Sequence, residues 1–186
     1  MAPRRGRSTS TLDRVASRLP FAKVVSLMTP LILARLIALL ATGLIAGIFL
    51  GHRAGVSRAS TRLPLSSFVQ LQQIIHETFQ RMMPLLVVGA LLGTVTWTVL
   101  ARTGAVTAFS LLVVASLALV VIAGVTRAIN IPINRQLEKW SSDKLPADAS
   151  RIWSRWERVH SIRTALAISA FVCQVVALGI AAPGAS

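Results

Sequence analysis

The chain has 186 residues, of which 54% are hydrophobic and only 14% are charged, and its formal net charge is +14. A water-soluble domain of this length could not bury so much apolar surface, because small domains leave a large share of their surface exposed. The basic residues flank apolar runs, as lipid head groups require, so the composition indicates a membrane protein and gives no support to nucleic-acid binding.

The chain begins with a tail and a first membrane span. Residues 1–30 are basic and rich in Ser, Thr and Arg, and we predict that they are disordered. Residues 31–186 are predicted to form one transmembrane domain. Its first span covers residues 31–51, which is long enough to cross the hydrocarbon core, and a basic loop is predicted over residues 52–65.

An amphipathic helix over residues 66–83 leads into the second span, residues 83–100. Apolar residues of this helix recur at helical spacing, while His76 lies on a more polar face beside Gln72. Both spans also carry glycines at intervals of four. Because small residues let helices approach closely in lipid, these patterns favour helix packing and could support a homo-oligomer. The glycines are Gly43, Gly47 and Gly51 in the first span and Gly89 and Gly93 in the second.

The third span, residues 106–128, leads into a segment that contains Asn130, Pro132 and Asn134. Proline lacks an amide hydrogen and clashes with the preceding turn, so Pro132 is predicted to end the helix just before it. A polar loop follows over residues 141–150. A second interfacial helix over residues 151–164 then leads into the fourth span, residues 165–182.

The predicted fold is all-α, an integral membrane four-helix bundle with interfacial helices on one side. Four spans place the two His-bearing helices and the Asn-Pro-Asn segment at the same membrane face. Cations flank both ends of the spans, and those of the tail and first span favour a cytoplasmic N-terminus in a bacterial cytoplasmic membrane.

Two interpretations of Asn130 and Asn134 stay open. Their amides could cap the helix that Pro132 ends. Alternatively they hydrogen-bond a substrate oxygen or a cofactor, since a broken helix near a membrane is tolerated where it lines a cavity.

The residues that carry a family resemblance read Asn130-x-Pro132-x-Asn134-x-x-Leu137-x-x-Trp140, then Trp153-x-x-Trp156 and Arg163, preceded by Leu63-Pro64, Phe68-Val-x-x-Gln72 and Met83-Pro84. This pattern resembles the anthrone oxygenase-like family of small membrane proteins. The resemblance implies a four-helix membrane bundle, and some members use O2 to oxidise polyketide anthrones to anthraquinones. His160 stands where a small polar residue such as Asn is expected in the family, which leaves its role open.

The resemblance implies an oxygenase of secondary metabolism that acts on a hydrophobic, anthrone-like aromatic molecule. Oxidation of a phenolic anthrone needs a base to form the carbanion and donors to hold the phenolate. We predict His76 as the base, because an imidazole exchanges a proton near neutral pH. The predicted anion-stabilising residues are Asn130, Asn134 and Arg163. The predicted substrate contacts are Trp140, Trp153, Trp156 and Gln72, although an interfacial belt would also explain the Trp residues and head-group contact would explain Arg163.

The resemblance requires no cofactor besides O2, and two other functions stay open. One is a haem- or metal-dependent membrane oxidoreductase in which His76, His52 or His160 is a ligand. Cysteine ligation is limited to Cys173, the one cysteine of the chain. The other function is a non-catalytic membrane protein that binds lipid or assists a partner. The middle of each span lacks charged residues, which argues against an ion pump or channel.

Overall fold

The computed structural model describes residues 30–141 and 144–181, so the predicted disordered tail lies outside the described residues except for Pro30. Within these ranges the chain is all-α. Helix α1 is Pro30–Gly51, and a π-helical turn, His52–Val56, continues it into the short α2, Ser57–Ala59. The other helices are α3 (Leu65–Phe79), α4 (Met82–Leu100), α5 (Val106–Val125), α6 (Ile131–Leu137) and α7 (Ala149–Ile180), with a π turn at Thr126–Asn130.

Four continuous helical runs are long and apolar enough to cross a membrane: Pro30–Ala59, Met82–Leu100, Val106–Leu137 and Ala149–Ile180. They close into a bundle in which α1 packs against α4 and α7, and α5 packs against the same two helices. Large apolar side chains cover the outside, and Leu40, Leu92 and Leu117 are each at least 60% exposed. Such an apolar surface is unfavourable in water and favourable in lipid. The structure confirms the predicted all-α integral membrane bundle of four spans.

The glycines of the first two spans have different surroundings. Gly93 packs directly on α1, and a Cβ atom added to it would lie 2.7 Å from the backbone nitrogen of Ala38. Gly89 also faces α1, and Gly43 packs against the ring of Phe171 in α7. Around Gly47, by contrast, an added Cβ would meet nothing within 4 Å. Most of this pattern therefore serves packing within the chain, and association of copies through the open part stays a prediction.

A polar cluster that the sequence analysis did not single out ties three helices together in the middle of the bundle. Gln174 of α7 donates from Nε2 to Thr42 Oγ1 of α1 at 3.1 Å and to Thr94 Oγ1 of α4 at 2.8 Å. All three side chains are fully buried. Because these hydrogen bonds lie midway along the spans, they mark the level of the membrane midplane.

Pro132 does not end the third helical run, and the prediction that it would do so is wrong. The run passes through the π turn Thr126–Asn130 and continues as α6 to Leu137. In this turn the Ile131 N–H donates to the carbonyl of Thr126, five residues back. The wider turn accommodates a ring that would clash with a regular α-helix, and Pro132 then lies in the first turn of α6, where its missing N–H does little harm.

Two further expectations about the connections are wrong. Residues 52–59 were expected in a loop, but the first helical run continues through them to Ala59. Residues 151–164 do not form a separate interfacial helix, because α7 is one uninterrupted helix of 32 residues that includes both this segment and the fourth span. An α-helix of that length is about 48 Å long, well over the thickness of the hydrocarbon core. The polar half of α7 therefore extends beyond the hydrocarbon as part of the bundle.

Candidate functional site

A chain of hydrogen bonds lies at the end of the bundle that contains α3 and α6. It joins His76 of α3 to α6 and α7. His76 Nε2 lies 2.9 Å from Glu138 Oε1, and His76 Nδ1 lies 3.2 Å from Asn134 Nδ2. On the other side of the amide, Trp156 Nε1–H donates to Asn134 Oδ1 at 2.8 Å. His76 and Glu138 are partly exposed, whereas Trp156 is buried. The structure thus brings together three residues that the sequence predicted separately and adds a carboxylate.

A second polar group lies deeper along α7 and is centred on Arg163. This guanidinium donates to Thr126 Oγ1 and to His160 Nδ1, both at 3.0 Å, and lies 4.7 Å from the centroid of the Phe49 ring. Since arginine has only donors, His160 Nδ1 must accept, and the His160 proton is on Nε2, which donates to the Phe49 carbonyl at 3.2 Å. Arg163 is buried. A buried side chain does not contact lipid head groups, which was the other interpretation of Arg163.

The charge of Arg163 is not compensated within the described part of the chain. The acidic partners of the ion pairs formed there are Glu157, Glu138 and Asp148, and none of them faces Arg163. Its Nε atom is also buried without a hydrogen-bond partner among the described residues. A buried cation without a counter-charge is costly, so this position favours an anionic or strongly electron-rich ligand atom.

His52, in the π turn that follows α1, lies between the two polar groups. Its ring centroid is 4.6 Å from that of His160 and 5.1 Å from that of Trp156. Its Nε2 lies 3.3–3.4 Å from the side-chain amide of Gln72, which is itself buried. The contacts of Gln72, a predicted substrate contact, are therefore with the protein in this structure.

Three rings on one face of α7 form a continuous stack. Trp153 and Trp156 are stacked at 4.7 Å with an interplanar angle of 15°, and Trp156 and His160 at 4.8 Å with 16°. The ring of Phe68 in α3 packs edge-on against Trp153 at 4.7 Å. Both tryptophans are buried in the bundle, so an interfacial belt does not describe them. Trp140 packs against the same cluster but is only partly buried.

The amides of Asn130 and Asn134 do not cap a helix, and that interpretation is wrong. The helix continues past both residues to Leu137, Asn130 makes no side-chain capping bond, and the Asn134 amide is bonded to His76 and Trp156. At the end of α6, Gln73 Nε2 of α3 donates to Leu137 O at 2.8 Å and to Trp140 O, just beyond the helix, at 3.0 Å. Asn130 is 1% exposed, and neither atom of its amide has a partner among the described residues.

A groove of about 380 Å³ opens beside the His76–Glu138 pair and is lined by Gln73, Glu77, Gln80 and Glu138. Its lining includes two carboxylates, of which only Glu138 contacts His76. The groove gives this pair direct access from outside the bundle.

The three histidines do not meet at one point. Within residues 30–141 and 144–181, no group of three or more His, Cys, Asp or Glu side chains could hold a metal ion. Both ring nitrogens of His76 and of His160 have protein partners. His52 Nδ1 is buried without a partner in this part of the chain, so it is the ring nitrogen that a haem or metal could bind with least disruption.

Glu138 is the site residue that sequence reasoning missed. Asn130, Asn134 and Glu138 are spaced by four residues and would share one face of a helix. The sequence shows this spacing, but a helix that ended at Pro132 would not have placed the three residues on one face. The continuous helix restores the spacing and delivers the carboxylate to His76.

Comparison with known proteins supplies the family. The model of a family described as anthrone oxygenase matches residues 71–173, more than half of the chain. The matched region runs from α3 into α7 and includes His76, Asn134, Glu138 and Arg163. No curated protein and no solved structure matches the chain. The extent of the match shows that this four-helix membrane protein belongs to the anthrone oxygenase family.

Proposed function

We propose that the protein is a membrane-embedded oxygenase that uses O2 to oxidise a hydrophobic, anthrone-like aromatic molecule, with His76 as the base. The observation that carries this proposal is the 2.9 Å contact between His76 Nε2 and Glu138 Oε1. A carboxylate in this position holds the imidazole in one orientation and stabilises the imidazolium that forms when the ring takes a proton.

The reaction converts an anthrone and O2 into an anthraquinone and water. His76 takes a proton from the methylene carbon opposite the carbonyl, and the electron pair that remains spreads onto the carbonyl oxygen as a phenolate. O2 accepts electrons from this carbanion and bonds to the same carbon. The second methylene proton is then lost as the O–O bond breaks. One oxygen atom stays as the new carbonyl, and the other takes up this proton and the one held by His76 and leaves as water.

The phenolate needs hydrogen-bond donors, and two buried side chains offer them. Asn130 Nδ2 and Arg163 Nε are donors without partners among the described residues, and Arg163 brings a positive charge without a carboxylate. Both donor atoms are enclosed in this structure. Binding must therefore displace part of the surrounding layer of side chains, and the partly buried Trp140 is the predicted aromatic wall that is best placed to contact substrate.

The depth of the site also suits a hydrophobic aromatic substrate. Arg163 is eleven residues from Gln174, which corresponds to about 16 Å along α7 from the midplane level and so to the edge of the hydrocarbon core. A flat aromatic molecule with phenolic hydroxyls prefers this boundary, because its rings remain in lipid while its oxygens reach polar groups. We place the protein in the bacterial cytoplasmic membrane, where such a metabolite dissolves.

The decisive experiment compares two carboxylates of the same groove. In detergent-purified protein, His76→Ala should lower the kcat of anthrone oxidation at least about 100-fold, since a positioned base contributes that much or more. Glu138→Gln should lower kcat about 10- to 100-fold, whereas Glu77→Gln, which changes a carboxylate of the same groove that does not contact His76, should leave it unchanged. The site assignment fails if turnover is unchanged in both His76→Ala and Asn130→Ala.

An absorption spectrum of the same preparation tests the haem alternative. The proposed reaction needs no chromophore, whereas a Soret band would establish haem and replace the cofactor-free mechanism. In that case His52→Ala should remove the band, because His52 Nδ1 is the buried ring nitrogen that has no partner in the described ranges.

A further inference from the structure

We infer that Trp156 is a positioning residue: its indole N–H fixes the Asn134 amide, and the amide in turn fixes which nitrogen of His76 carries the proton. The catalytic meaning of this inference rests on the proposed function, but the position of the proton does not. The sequence predicted Trp156 as a wall of the substrate site, and the structure gives its N–H a different task.

The orientation of the Asn134 amide follows from which of the contacting atoms can donate and which can accept a hydrogen bond. An indole nitrogen can only donate, so the atom of Asn134 that lies 2.8 Å from Trp156 Nε1 must be the amide oxygen. The NH2 group of Asn134 is then the atom that faces His76. This assignment does not depend on hydrogen positions, because the opposite orientation would place an N–H against an NH2 group.

The orientation of the Asn134 amide determines the tautomer of His76. An amide NH2 group is also only a donor, so His76 Nδ1, 3.2 Å away, must accept with its lone pair. The proton of the neutral ring is therefore on Nε2, which donates to Glu138 at 2.9 Å. If the Asn134 amide were reversed, its oxygen would attract a proton to Nδ1 and leave the Nε2 lone pair against the carboxylate.

The indole is well held for this task. Trp156 is buried between Trp153 and His160 in the ring stack of α7, so it cannot turn without breaking two stacking contacts. A rigid donor in a dry environment selects one amide orientation more strongly than water would.

The consequence for the reaction is that Nδ1 is the basic nitrogen of His76. Its contact with Asn134 is the longest of the three bonds, 3.2 Å against 2.8 and 2.9 Å, and is the one that a substrate C–H can most easily replace. Trp156 and Glu138 keep their bonds throughout, so the ring remains oriented while its free nitrogen takes the proton.

The chain contains a matched control. Trp153 stacks on Trp156 and is equally buried, but its Nε1 has no hydrogen-bond partner among the described residues. Trp156→Phe and Trp153→Phe therefore remove the same N–H group from neighbouring rings of one stack. Only Trp156→Phe should change the tautomer of His76.

Nitrogen NMR of the full-length protein, labelled with 15N-histidine and held in nanodiscs, reads the proton position directly. The sequence has three histidines, so His76→Gln identifies the His76 signals by their loss. Wild-type His76 should show the proton on Nε2, Trp153→Phe should show the same, and Trp156→Phe should show a mixture of both tautomers. An unchanged His76 tautomer in folded Trp156→Phe would overturn the inference.

Kinetics on the same variants separate positioning from substrate contact. Trp156→Phe should lower the kcat of anthrone oxidation about tenfold or more with KM within twofold, whereas a substrate wall would change mainly KM. If Trp156→Phe does not fold, Asn134→Leu tests the amide step by NMR, because it removes the amide and keeps the ring stack, and an unchanged His76 tautomer in it would overturn the inference. If the tautomer responds as expected but wild-type protein does not oxidise anthrones, the positioning role stands and the proposed function falls.

Discussion

At the scale of single residues, Asn130 provides a prediction in which stability and activity change in opposite directions. A buried amide without partners destabilises the fold by about 1–3 kcal/mol per unsatisfied group, so Asn130→Leu should raise the free energy of unfolding in the ligand-free protein. The same change should lower turnover, because it removes a proposed donor to the phenolate. Thermal unfolding in detergent and an anthrone oxidation assay measure the two effects.

Asn134→Leu is the control for this prediction, since it makes the same substitution one helical turn further along. Asn134 has two hydrogen-bond partners, and its loss leaves Trp156 Nε1 without an acceptor, so this variant should unfold at a lower temperature than wild type. If Asn130→Leu also unfolds at a lower temperature, Asn130 has a structural role and the proposed donor role loses its support.

The sequence predicted which polar side chains would lie together but not what each would contact. His76, Asn134 and Arg163 could be placed at one membrane face because the number of spans alone decides the face. Their partners depend on the direction of a few side chains, so the bond of Trp156 to Asn134 and the burial of Asn130 could not be predicted from spacing. Glu138 was missed because the helix was predicted to end at Pro132. The residue types of the site were thus predictable, whereas their hydrogen bonds were not.

At the scale of helices, the sequence predicted the spans well because apolar runs of about 20 residues have few other uses. It did not predict that two of the runs continue through π turns, His52–Val56 and Thr126–Asn130. A π turn leaves no mark in a hydrophobic pattern, since it depends on hydrogen bonds of the i to i+5 type and on what packs beside it. Both turns contribute residues to the candidate site, His52 and Asn130, so part of the site comes from elements that the sequence could not predict.

The contact between α1 and α4 gives a prediction at this scale. The Gly93 backbone lies against Ala38, and an added Cβ would approach the Ala38 backbone to 2.7 Å, a distance that only separation of the helices can relieve. Gly93→Ala should therefore lower the free energy of unfolding by about 1–3 kcal/mol. Gly47→Ala, in the open part of α1, should leave it unchanged or slightly raised. Equal stability of the two variants, measured by thermal unfolding in the same detergent, would contradict the close packing of α1 and α4.

At the scale of the whole molecule, the bundle has a membrane half and a polar half. The Gln174 cluster marks the midplane, and the exposed leucines around it face lipid. The aromatic stack and the His76–Glu138 pair lie toward one end of the same helices, and we expect this end to extend beyond the hydrocarbon core. A substrate can therefore approach from the lipid side while the base remains in contact with water, which gives the water formed in the reaction a route out of the site.

Site-directed spin labelling tests this division. In a Cys173→Ala background, which removes the free cysteine, Leu92→Cys places a label about 3 Å from the level of Thr94 along α4, and Ser154→Cys places one about 30 Å from Gln174 along α7. Both positions are exposed. The Leu92 label should relax mainly through O2, which concentrates in hydrocarbon, and the Ser154 label mainly through a water-soluble nickel chelate, because 30 Å is about twice the half-thickness of the core. Similar protection of both labels from the chelate would place the polar half of α7 within the bilayer and would leave the His76–Glu138 pair without its route to water.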